Sequence, residues 1–94
     1  MISVESIRKK LRLSENVFDD EIKDNISACL EDLERTGVIV TPDKSHRLLD
    51  KAIELYNKWQ FDFRGKGETY KVNYEATRDS MSLSPIYYTQ KVEG

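Results

Sequence analysis

The sequence predicts an all-α fold: a small bundle of about four helices, with one short extended connection and an extended C-terminal tail. Three observations carry that reading. Four glycines and two prolines punctuate 94 residues, too few turn formers for a sandwich of short strands. Apolar residues recur mostly at three- and four-residue spacing, not in alternation. The one β-branched run, "VIV" at 38–40, is too short to make a sheet by itself.

The elements follow in order. Ser3 stands before "VESIRKKLRL", where Val4, Ile7, Arg8 and Leu11 fall at helical spacing. A serine oxygen at that place bonds an orphan backbone N–H, and Glu5 suits the positive end of the helix dipole. The second helix is "FDDEIKDNISACLEDLERTG", with Asp19 or Asp20 as its cap. Ile22, Ile26, Cys29, Leu30 and Leu33 form its core stripe, Gly37 is a left-handed stop, and Asp24, Glu31, Asp32 and Glu34 form an acidic face. Val38, Ile39 and Val40 then either cover the end of the core or meet a partner, and Pro42 ends the run. Asp43 or Ser45 opens a third helix, "HRLLDKAIELYNKWQFDF". Leu48, Leu49, Ala52, Ile53, Leu55, Tyr56, Trp59 and Phe63 wrap more than half of it, as suits a central helix. A fourth helix runs from about Glu68 to Leu83, with Tyr70, Tyr74, Thr77 and Met81 along one seam. Pro85 cannot continue it. Residues 1–84 thus make the helical domain and 85–94 a tail, expected to be flexible before assembly. The expected core includes Ile26, Leu30, Leu33, Leu48, Ala52, Tyr56, Trp59, Tyr74 and Met81.

Composition narrows the function classes. The formal net charge is −2 with a pI near 5.4, which argues against a general DNA binder. Residues 1–13 are basic and 14–36 strongly acidic, a polarity that would let copies dock head-to-tail. Cys29 is the only cysteine, so no intrachain disulfide forms; its place in a helical stripe marks it as a small buried apolar residue. No apolar leader and no run of about 20 apolar residues occurs, so no membrane segment is expected, and the chain is expected to work in a cytoplasm or to be assembled from there into something larger.

Candidate chemistry is sparse. "FRGKGETY" at 63–70 places Lys66 between Gly65 and Gly67. A phosphate loop needs a glycine five positions before Gly65, where Gln60 stands, and a Ser or Thr directly after the lysine. The stretch reads instead as a break between helices, with Gly65 and Gly67 supplying the turn's conformations. One histidine and one cysteine exclude a Cys/His zinc site within one subunit. Acids at 19–21 read as cap and dipole residues, and His46 as a solvated or capping residue with no catalytic partner in view. No catalytic, cofactor or metal residues are therefore expected. The aromatics from Tyr56 to Tyr88 come with an excess of only one base, too little for a single-strand stacking platform. Ile86, Tyr87 and Tyr88 lie beyond Pro85, where tyrosine beside an aliphatic is anchor chemistry for a protein interface.

The stretch "AIELYNKWQFDFRGKGETYKVNYEATRDSMSLS", residues 52–84, resembles the head–tail connector (adaptor, or head-completion) proteins of long-tailed bacteriophages. The features are an Ala-Ile-x-Leu-Tyr helix, Phe61 and Phe63 near its end, Gly65, Tyr70, Tyr74-Glu75, and a final "MSLS". The first half fits more loosely, through its short opening helix and acidic second helix. The resemblance implies a structural subunit of the virion neck, without enzymatic activity. It would join a homo-oligomeric ring, commonly a dodecamer, beneath the portal protein, with DNA only as a passenger in the channel. The ring would present a surface to the next neck, or stopper, protein, and the tail residues Ile86, Tyr87 and Tyr88 would grip the portal. The acidic helix-two face would line the channel or meet a basic surface of the adjacent subunit. The alternative is a small helical DNA-binding or regulatory module, helices one and two forming a helix-turn-helix with Arg8, Lys9, Lys10 and Arg12 near phosphates.

Overall fold

A computed structural model describes residues 2–38 and 47–83. Four α-helices follow in order: α1 over Val4–Lys10, α2 over Asp19–Arg35, α3 over Arg47–Gln60 and α4 over Gly67–Ser82, with a 3₁₀ turn at Phe63–Gly65 between the last two. No strand occurs among the described residues. The all-α bundle is as the sequence predicts. The proposed caps Asp43 and Ser45, and residues 39–46 generally, lie outside the described residues, as do Ser84 and the tail at 85–94.

The helix ends show how local chemistry sets the boundaries. Ser3 Oγ accepts from the Ser6 amide at 3.1 Å, the expected cap of α1. At its other end the Leu13 amide reaches Arg8 O and the Arg12 amide reaches Lys9 O. That pair of bonds needs a left-handed residue between them, and Arg12 supplies it at φ 60°. α2 stops the same way: Val38 N–H to Leu33 O at 2.9 Å and Gly37 N–H to Glu34 O at 3.1 Å, with Gly37 at φ 98°. Val38 is fully buried, so of the two readings of "VIV", covering the end of the core holds for this residue. Neither Asp19 nor Asp20 caps α2. The cap position is Phe18, without a side-chain bond, because the Asp19 carboxylate is turned onto the Arg8 guanidinium in two 3.0 Å bonds.

α3 is the centre. It packs against all three other helices, most extensively along α4, and Leu49, Ala52, Ile53 and Leu55 are buried on it. Ile7, Ile22, Cys29, Leu33, Tyr74 and Met81 complete the core from the other helices. Ile26, Leu30, Tyr56 and Trp59 are half-buried against it. Leu48 is not core: it is 40% exposed. Its face is not the cause, since Leu55, seven residues on and within about 20° of the same direction, is buried. Leu48 sits two turns earlier, in the first turn of α3, where no described helix buries it as Leu55 is buried. Phe63 also leaves the expected helix, because α3 ends at Gln60 and Phe63 opens the 3₁₀ turn.

Among the described residues one core side chain is polar. Asn57 is fully buried. Its amide donates to Ile53 O at 3.0 Å, and its carbonyl accepts from Asn25 Nδ2 of α2 at 3.1 Å. Hydrogen bonding offsets the desolvation that an unpaired amide would suffer there.

Candidate interaction surface

Three places in the fold gather polar or exposed apolar side chains: a network between α2 and α4, the turn between α3 and α4, and the two poles of α3.

The network centres on Asp32. Its Oδ2 accepts from the Tyr74 hydroxyl at 2.7 Å and from Arg78 at 3.0 Å, and Arg35 pairs with Oδ1. Tyr74 is itself buried, its hydroxyl 3.9 Å from Cys29 Sγ and its ring edge-on to Tyr56 at 5.1 Å. Burial opposes ionisation of Asp32, yet hydrogen bonds from Tyr74, Arg78 and Arg35 outweigh it and hold its carboxyl below the usual range. Burial, the nearby Cys29 and the hydrogen-bonded Asp32 push the Tyr74 phenol well above its ordinary value. Burial likewise drives the Cys29 thiol up to about 12, which fits its reading as an inert core residue. None of these three groups changes protonation near neutral pH, so the network acts as a fixed link between α2 and α4.

The turn contains the predicted hinge. Gly65 has φ 70°, a left-handed conformation, but so do Asp62 at 49° and Arg64 at 57°. Gly67 is different from expectation: it is buried and is the first residue of α4. Its requirement is steric. A Cβ there would stand 2.7 Å from Asp62 Oδ1 and 3.1 Å from Trp59 O. The same Asp62 Oδ1 accepts from the Gly67 amide at 2.8 Å. A carboxylate of the chain's own thus occupies the α4 N-terminus, the place where an anion would otherwise bind. Lys66 is exposed.

The third place is the ends of α3. Beyond its C-terminus the Phe61 ring meets Phe18 edge-on at 5.9 Å. Beside this pair lie a shallow cleft of about 250 Å³ lined by Glu21, Asp24, Asn25, Gln60 and Phe61, and a smaller one of about 150 Å³ lined by Leu13, Ser14, Glu15, Val17 and Phe18. Val17 is 70% exposed. At the opposite end, exposed Arg47 and Lys51 flank the exposed Leu48.

The residues marked out by sequence are thus distributed unevenly. Tyr56, Trp59 and Tyr74 come together in one aromatic cluster; of the two predicted hinge glycines, Gly65 sits in the turn and Gly67 opens α4. The proposed anchors Ile86, Tyr87 and Tyr88 lie outside the described residues; the last described position, Leu83, is an 80% exposed leucine. The charge polarity between residues 1–13 and 14–36 is partly spent inside the chain, through Arg8–Asp19, Lys9–Glu5 and Lys10–Glu54. The acidic face of α2 is likewise reduced, because Asp32 points into the fold. Asn57 and Asn25 were missed, although Asn57 continues the four-residue series of Leu49 and Ile53.

No group of three or more His, Cys, Asp or Glu suited to a metal ion occurs among the described residues. No described helix is long and apolar enough to cross a membrane. Comparison of the chain with protein-family models, curated proteins and solved structures found no match.

Proposed function

We propose that the chain is a structural subunit of a phage head–tail connector. It docks as a ring under the portal, extends the DNA channel and readies the filled head for tail attachment. The observation that carries the proposal is that the residues behind the resemblance form one structural unit. The Tyr56 ring meets Trp59 and Tyr74 in T-shaped contacts, and the turn at Phe63–Gly65 returns α4, which opens at Gly67, onto α3. A closely packed α3–α4 pair, followed in the sequence by the tail at 85–94, suits a small part that must be held by larger neighbours. Its partners in this reading are other copies of itself, the portal and the next neck protein. The role needs no cofactor and no catalytic group, and its place is the virion neck after a period in the host cytoplasm.

The helix-turn-helix alternative loses support from the ion pairs. Three of the four bases in and beside α1 face carboxylates of this chain, and the would-be recognition helix begins with three acids, which repel phosphates. Two parallel titrations test the choice. Sedimentation with portal rings from the same phage should carry the chain into the portal fraction. A duplex DNA titration should show no binding that weakens steeply between low and moderate salt. Salt-sensitive DNA binding without portal association would reverse the choice.

A further inference from the structure

The two ends of α3 are complementary in chemistry and point apart. At the C-terminal end, Phe61 lines the cleft of Glu21 and Asp24 and meets Phe18 edge-on, while Phe18 and the exposed Val17 line the smaller cleft. Among the described residues neither acid takes part in an ion pair. At the N-terminal end, Arg47 and Lys51 lie one turn apart beside Leu48, and they too lack an ion-pair partner among the described residues. Advancing about 100° and 1.5 Å per residue, Gln60 of the acidic cleft faces some 140–180° away from Arg47 and Lys51, and lies about 14–20 Å from them along the axis. One subunit therefore cannot bring its own two surfaces together, but two copies can.

We infer that copies of this chain join head-to-tail, the Arg47–Leu48–Lys51 pole of one copy seating in the Glu21/Asp24 cleft and against its Phe61 wall on the next. Leu48 supplies the apolar anchor and the two bases meet the two acids. Because the surfaces differ, the contact is heterologous, and repeating it makes a closed ring if the rotation closes and a filament if it does not. The inference rests on the ring reading above for its setting and on these surfaces for its geometry. It replaces the simpler expectation that the basic first helix meets the acidic second: Arg8 and Asp19 already satisfy each other within one copy.

Charge reversal tests it on the full chain. Sedimentation velocity at low salt, from about 10 µM to about 1 mM, should show the wild type growing beyond monomer, and added salt should reverse it. Glu21→Lys with Asp24→Lys should stay monomeric, as should Arg47→Glu with Lys51→Glu. All four side chains are exposed, so both variants should keep the wild-type circular dichroism. Mixed in equal amounts, the two should assemble again, since each carries the surface that the other's altered one requires. A wild type that stays monomeric throughout overturns the inference. So does a reversed variant that assembles as the wild type does, or a mixture that stays monomeric. A monomer that binds portal rings would sink this contact and spare the connector reading. Assembly through these surfaces by a chain that ignores portals would do the opposite.

Discussion

Replacing Tyr74 with phenylalanine removes one oxygen and leaves the ring in its place between Tyr56 and Trp59. The oxygen donates to Asp32 at 2.7 Å in a site where Tyr74 is 1% exposed. Asp32 keeps Arg78 and Arg35, so no unpaired charge is left behind. The cost is then that of one hydrogen bond to a charged group, about 1.5–3 kcal/mol. For a domain of up to about 100 residues this lowers Tm by roughly 6–24 °C. Asp32→Asn weakens the same network from the other side, and its effect depends on pH. The folded carboxyl is held below its usual range, so its contribution is fully present above the unfolded carboxylate value of about 3.9. It is lost as pH falls through the lower folded value. Urea unfolding followed by circular dichroism should therefore show wild type well above Asp32→Asn at pH 7. The gap should narrow below about pH 4. A Tyr74→Phe variant within about 0.5 kcal/mol of wild type, or an Asp32→Asn gap that does not change with pH, would refute the assignment of this network as the α2–α4 link.

Other substitutions separate backbone strain from steric demand. Gly65→Ala should cost about 1 kcal/mol from its left-handed backbone alone, since nothing lies within 4 Å of the added carbon. Gly67→Ala should cost about 1–3 kcal/mol from overpacking against Asp62 and Trp59, and thermal melts of both variants check the order. At the C-terminus of α1, Arg12→Gly should raise stability by up to about 1 kcal/mol by relieving a left-handed arginine, read as a higher urea midpoint. Asn57→Leu should be the milder change in the core, because Asn25 is only half-buried and can turn to water. Asn57→Asp buries a charge in its place and should be the more damaging at pH 7, by several kcal/mol, with part of the loss recovered as pH falls and the carboxyl becomes neutral.

The helices were legible because their signals are local. Ser3 caps α1, Gly37 stops α2, and the stripes of Ile22, Cys29 and Leu33 or Tyr74 and Met81 point inward as their spacing requires. What the spacing left open depends on where a neighbour ends. Leu48 and Leu55 share a direction on α3, and only the packing of other helices along its length tells the exposed one from the buried one. The capping role of Asp19 yielded to Arg8, eleven residues away in sequence, because a bidentate ion pair competes for the same carboxylate. Gly67 looked like a turn glycine and is a contact glycine, a distinction set by the return of Asp62 beneath it. Asn57 was legible in hindsight as the next step after Leu49 and Ile53. Its partner Asn25 was not, since nothing local to α2 marks that residue as facing a buried amide.

The connector reading depends most directly on the tail. Portal rings should bind the full chain and release it when residues 85–94 are deleted, or when Ile86, Tyr87 and Tyr88 are replaced together by alanine. The helical circular dichroism of residues 1–84 should stay unchanged in both variants. Portal binding by the truncated chain at full strength would contradict the tail's role as the anchor. A full chain that never binds portal rings would contradict the function itself.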